Sequence, residues 1–158
     1  MKWRKILLFR LWKYKKSKRK LIKLYNDEYN YNYCTICNII KSYTDNLEFI
    51  LSKFKTELNR YYFYNDYTFD TCNLYIIEYN KRLEECKEKI KKIKKDNDIF
   101  KLLYKRNLLK YCSYENLDYI DSAIDRFENY YMKQDFNYEI KKCKIQMKID
   151  SMEQDFGC

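Results

Sequence analysis

The sequence predicts an all-α chain, an antiparallel bundle of about five to six helices led by a basic amphipathic N-terminal helix. Three observations carry this. Apolar residues recur at steps of four and three over most of the chain, the period of a helix face. Among the 158 residues there is no Pro and one Gly, so the tight turns that a β-rich fold needs lack their usual residues. The connections instead carry Asn and Asp, which start and stop helices and are short enough to join antiparallel neighbours. A chain of this length can bury a core without disulfides or metals.

The segment Trp3–Tyr25 comes first. Leu7, Leu8, Leu11 and Trp12 form one apolar face, continued loosely by Leu21, Ile22 and Tyr25. Residues 1–26 hold 11 Lys/Arg and no acid, and the other 132 residues hold 22 Lys/Arg against 23 Asp/Glu. The net charge of +10 is therefore a cationic arm on a body of about −1. The arm has four competing readings: a helix docked on the body, an organelle import signal, an element lying on an anionic membrane surface, or a grip on RNA or DNA phosphates. For an anionic partner the residues are Lys13, Lys15, Lys16, Lys18, Arg19 and Lys20, and the last five of these also fit a loose nuclear-signal pattern.

Asn26–Tyr33 reads as a linker. Residues 34–156 are then expected to form the bundle. Thr35–Tyr62 is the first long helix, with Ile36, Ile40, Tyr43 and Leu47 and then Leu51, Phe54, Leu58 and Tyr61 on one line. Asp45 with Glu48 resembles a capping box and allows a break near Thr44. The central helix, Cys72–Ile93, has the cleanest seam: Cys72, Ile76, Tyr79, Leu83, Cys86, Ile90 and Ile93. Asp70 or Thr71 is its expected cap. Lys94–Asp98 is read as its end, with a shorter helix over Ile99–Tyr111. A further helix starts at Ser113, with Leu117, Ile120, Ile124, Phe127 and Tyr131 on its seam, and Gln134–Asn137 breaks it. Tyr138–Phe156 closes the chain with two apolar rows, Ile140–Cys143–Met147 and Ile145–Ile149–Met152–Phe156. A face that broad predicts a second neighbour or a partner protein.

No catalytic constellation emerges. The absence of His removes Ser-His-Asp and Cys-His systems, and Gly157 alone cannot build a phosphate-binding loop. Cys34 and Cys37 form a CxxC, but the chain has neither a second CxxC nor a His, so the expectation is packed cysteines with no metal or cofactor. Asp118, Asp121 and Asp125, like Glu84, Glu85 and Glu88, read as solvated helix faces. The tyrosines at Tyr29, Tyr31 and Tyr33 and at Tyr61, Tyr62, Tyr64 and Tyr67 suit base stacking or a protein interface, or serve as plain core filler. Abundant Lys, Asn, Tyr and Ile beside absent Val suit an AT-rich gene of a parasite, organelle or large DNA virus. Seven cysteines without a secretory leader at the start point to a reducing, intracellular setting. No apolar run is long enough to predict a membrane span.

The triplet Leu103-Tyr104-Lys105, with Arg106 and Leu108 after it and Phe127 further on, resembles the LYR-motif family of small mitochondrial helical proteins. The likeness covers residues 100–156, with Ile140–Phe156 as the third helix. In that family a Leu-Tyr-Arg near a helix start is followed by a Phe in the next helix; here Lys105 takes the place of the Arg, and Arg106 follows. The resemblance implies an accessory or assembly factor for iron–sulfur delivery, respiratory complexes or mitoribosomes, often with acyl carrier protein. Its partner-binding residues would be Leu103, Tyr104, Lys105, Arg106 and Phe127.

The function expected is therefore a non-catalytic accessory or assembly subunit, organellar and by this likeness mitochondrial, with protein partners and no small-molecule substrate. The alternatives are an RNA- or DNA-binding protein that uses the arm, which would suit the nucleus, and a viral or parasite helical effector that binds a host protein, which would suit host cytoplasm.

Overall fold

The computed structural model describes residues 12–20, 22, 23, 30–66, 68–109 and 113–157. Among them it is all-helical, with no strand. Residues 12–20, 22 and 23 are helical, and the rest of the predicted arm lies outside the described residues. Four α-helices follow: α1 (Asn30–Tyr64), α2 (Asp70–Lys105), α3 (Tyr114–Asn129) and α4 (Phe136–Phe156), with a 3₁₀ turn over Tyr131–Lys133 before α4.

Two boundaries differ from the sequence reading. Residues 30–33, taken as linker, are the first turn of α1, and no break occurs near Thr44. Lys94–Asp98 does not end the central helix, which runs on to Lys105. The reason is visible in the seam itself. Adding four and three to Ile93 reaches Asn97 and Phe100, and both are fully buried. Asn97 is thus a polar residue at a core position of a continuing helix, a device known from coiled-coil seams. The segment holds neither Pro nor Gly to interrupt the backbone ladder.

The ends of α1 and α2 show how a chain with one Gly stops its helices. Asn65 and Asn107 take the left-handed conformation, with φ of 52° and 53°. Asn tolerates it because its short polar side chain bonds locally. After α1, the Asp66 N–H donates to the Tyr61 carbonyl (3.2 Å). After α2, Leu108 N–H donates to Leu103 O (3.0 Å) and Asn107 N–H to Tyr104 O (2.9 Å). The pair after α2 makes a Schellman closure, and the bond after α1 is the long member of such a closure. The N-terminus of α2 is satisfied by a tertiary partner in place of the expected cap: the Tyr61 hydroxyl accepts the Thr71 N–H at 3.0 Å. At α4 the Asp135 carboxylate caps conventionally, accepting the Tyr138 N–H at 3.0 Å.

The chain divides into two compact units. One joins the described residues up to Lys41 with Ile90–Asp125, and the other joins Ser42–Lys89 with the described residues from Arg126 onward. In the first, Ile40, Ile90, Phe100, Leu117, Ile120 and Ile124 are at most 1 % exposed. The second is built on aromatic side chains. Phe136 stands edge-on to both Phe54 and Tyr79, with ring centroids 4.9 Å apart in each case. The Tyr79 hydroxyl donates to the Tyr131 carbonyl at 2.7 Å, and the Tyr131 hydroxyl donates to Glu48 at 3.1 Å. Glu48, read as half of a capping box, is therefore a tertiary acceptor. None of the described helices is long and apolar enough to cross a membrane.

Candidate functional site

The seams decide which side chains are used up in packing and which stay available. On α3, every member of the predicted row (Leu117, Ile120, Ile124, Phe127, then Tyr131) is buried. On α4 the two predicted rows part company. The inner one, Ile140, Cys143 and Met147, points into its unit together with Phe136; Met147 is 2 % exposed, and Ile140 and Cys143 are half-buried. The outer one stays in solvent: Ile145 49 %, Ile149 42 %, Met152 57 % and Phe156 85 % exposed. Tyr138, seven residues before Ile145, continues the same line at 59 %. Five large apolar side chains therefore share one outward face of a single 21-residue helix. Scattered exposed apolar residues are ordinary on a protein surface, but a contiguous row is a docking signal.

Inside the two units the buried polar groups are engaged, with Asn97 Oδ1 as the exception among the described residues. In the first, Asn97 Nδ2 donates to the Leu117 carbonyl (2.9 Å) and to Asp121 Oδ1 (2.7 Å), while its own Oδ1 has no partner. The Lys101 ammonium donates to Asp121, and this pairing holds the lysine above its ordinary pKa. In the second, the Tyr62 hydroxyl donates to the Asp150 carboxylate. That bond raises the tyrosine pKa and lowers the carboxyl pKa. Burial pushes the Cys72 thiol up to about 12 and raises the Cys86 thiol. Thiols so placed are poor nucleophiles. A surface depression of about 390 Å³ lined by Ile76, Asn80 and residues 132–137 contains one carboxylate, Asp135, which is engaged in capping α4.

The predicted sites fall as follows. Leu103 is buried, Tyr104 half-buried against the Tyr114 ring (5.3 Å), and Lys105 and Arg106 exposed. The triplet closes α2 rather than opening a helix. Phe127, 1 % exposed, belongs to the other unit. Lys13, Lys15, Lys16, Arg19 and Lys20 are exposed and Lys18 is half-buried; Lys16 Nζ sits 5.1 Å from the Trp12 ring centroid. The side chain of Cys34 lies outside the described residues, and Cys37 is half-buried. Among the described residues no group of three or more Cys, Asp or Glu is placed to hold a metal ion. Asp118 and Asp125 are exposed, and Glu84 and Glu85 pair with Lys87 and Arg82 on the surface of α2. Of the tyrosine clusters, Tyr61 is buried, Tyr62 is bonded to Asp150, and Tyr64 is 76 % exposed. Tyr29, Tyr67 and the side chains of Tyr31 and Tyr33 lie outside the described residues.

Sequence reasoning missed Asn97, the Lys101–Asp121 pair and the Tyr62–Asp150 bond. Only the first left a trace, as the polar member of a seam that keeps its period. The other two join residues 20 and 88 apart in the chain, and nothing local marks them. Comparison with family models, with curated proteins and with solved structures finds no match for the chain.

Proposed function

We propose that this protein is a non-catalytic helical accessory subunit that works by docking within a larger assembly, its helices arranged as an antiparallel bundle with a basic N-terminal helix. One observation carries the reading: the outer row of α4 is left in solvent while the inner row of the same helix is half-buried to buried. A helix that served only its own core would need one apolar face. Exposed Phe49 and Phe63 on α1, and Leu74 and Ile77 on α2, add further contact surface in the same unit. The resemblance to the LYR-motif proteins favours a mitochondrial assembly as the setting.

The test is affinity capture of the full chain from its native cell, comparing wild type with Ile149→Glu/Met152→Glu. Stoichiometric foreign subunits recovered with wild type and lost with the variant support the reading. Recovery without any foreign subunit overturns it.

A second reading has its own observation. Five of the six cationic side chains at positions 13–20 are exposed, as phosphate contacts require. Binding to generic RNA would then weaken steeply with salt. Deleting residues 1–26 should flatten that slope, and an unchanged slope ends this reading.

A further inference from the structure

The charges at the C-terminal end of α4 run against the helix's own stability. A helix dipole favours acids in the first turn and bases in the last. α4 opens favourably, with Asp135 as cap and Glu139 in its first turn, but then carries Lys141, Lys142, Lys144 and Lys148, and late it has Asp150, Glu153 and Asp155 with no base in its last turn. Two of the charges after Glu139 are accounted for inside the unit. Lys144 Nζ lies 4.9 Å from the Phe69 ring centroid, and Asp150 accepts bonds from Tyr62 and Gln146. The other five, Lys141, Lys142, Lys148, Glu153 and Asp155, are exposed, and no partner completes an ion pair with them among the described residues.

Their positions follow from the helical turn of about 100° per residue. The outer row, Tyr138 to Phe156, lies opposite the buried Met147. Lys141, Lys148 and Asp155 fall along one flank of that row, and Glu139, Lys142 and Glu153 along the other. Each flank carries a lysine beside the N-terminal half of the row and an acid at its C-terminal end, with Glu139 as the one acid at the N-terminal end. Such a face complements itself when reversed.

Resting on the reading of this row as a docking face, we propose that its occupant is a second copy of the same chain, packed antiparallel about a twofold axis near residue 147. In that arrangement Tyr138 meets Phe156 of the second copy and Ile145 meets its Ile149. Lys141 comes within reach of the second copy's Asp155, and Lys142 of its Glu153, and each contact repeats by symmetry. A parallel pair would set lysine on lysine and acid on acid, so the charges choose the orientation. The area is adequate. At roughly 200 Å² per aromatic side chain, Tyr138 and Phe156 leave on the order of 300 Å² open per copy. With the three aliphatic members and the lysine stems, two copies reach about the 1,000 Å² of the smallest specific interfaces. An interface at this low end of the size range is a weak one, so the dimer is to be sought over the micromolar range.

Sedimentation equilibrium of the full chain over a concentration series tests this. Wild type should dimerise, more tightly at low salt. Lys141→Glu/Lys142→Glu should weaken the dimer at least tenfold, and Glu153→Lys/Asp155→Lys should do the same. An equimolar mixture of the two variants should recover wild-type affinity, because each reversed pair then faces its opposite. All the altered residues are exposed, and circular dichroism verifies that the helices persist. A wild-type monomer throughout the micromolar range overturns the proposal, as does a dimer indifferent to both reversals or a mixture no tighter than its components. A monomer that still captures foreign subunits through the α4 row refutes the dimer and spares the docking reading. A charge-dependent dimer that captures none does the reverse.

Discussion

Replacing Phe136 by Ala should remove about 3–5 kcal/mol of stability, whereas replacing Phe156 by Ala should change stability by less than about 0.5 kcal/mol. Both are phenylalanines on α4; one is 7 % and the other 85 % exposed. The first loss has three sources. Phe136→Ala exposes its unit to a void of ring size, removes the transfer free energy of the ring, and breaks edge-to-face pairs with Phe54 and Tyr79. Phe136→Leu keeps most of the volume but not the ring geometry, and at about 0.5–1.5 kcal/mol per aromatic pair it should cost about 1–3 kcal/mol. The assay is urea unfolding followed by far-UV circular dichroism. With a slope of about 1–3 kcal/mol per molar urea, Phe136→Ala lowers the midpoint by roughly 2 M. Phe156→Ala should leave the midpoint in place and act on association instead. Equal shifts for the two alanine variants would refute the division of α4 into an inner packing row and an outer docking row.

Asn97→Asp should cost about 3–5 kcal/mol near neutral pH, since it sets a buried carboxylate against the Leu117 carbonyl and Asp121. Part of that loss should return in acid, while Asn97→Leu should cost less, about 1–3 kcal/mol, because it gives up the two Nδ2 bonds but also removes the unpartnered Oδ1; thermal melts in which Leu is worse than Asp would contradict this. The Tyr62–Asp150 bond needs a neutral phenol and an ionised carboxyl. Because the folded-state Asp150 pKa is lowered, its contribution is present above the unfolded value of 3.8 and fades as pH falls through the folded value. Because that of Tyr62 is raised, the same bond is present below the unfolded value of 10.0 and fades as pH rises through the folded one. Tyr62→Phe should therefore flatten both edges of the stability–pH curve, and a curve parallel to wild type would contradict the bond. Cys72 and Cys86 should resist iodoacetamide in the folded chain at mildly alkaline pH and react once urea unfolds it, given their burial and raised pKa values. Peptide mapping that finds Cys72 alkylated in the folded protein would count against this packing.

The fold class and most of the core were legible from the sequence because both follow from local period. Steps of four and three place Cys72, Tyr79, Cys86 and Ile90 on one face before any tertiary contact is known, and all four are buried. The two rows of α4 were legible for the same reason. The boundaries were not. Lys94–Asp98 reads as an end because Asp and Asn favour caps and turns, yet burial of Asn97 against Leu117 of α3 outweighs that local preference. The capping of α2 by Tyr61 and the Tyr62–Asp150 bond join distant stretches of chain, and no short-range pattern encodes them. That α4 carries two apolar rows could be read from the sequence, but which of them stays in solvent could not. The complementarity of its flanking charges could be read only once Lys144 and Asp150 were seen to be engaged elsewhere.

The most direct measurement is the native mass of the full chain isolated from its own cell under non-denaturing conditions, with hydrogen exchange read along α4. A particle heavier than one 19.9 kDa chain, with slowed exchange over residues 138–156 relative to the diluted protein, is the expected result. A lone 19.9 kDa chain whose α4 exchanges identically before and after dilution would contradict it.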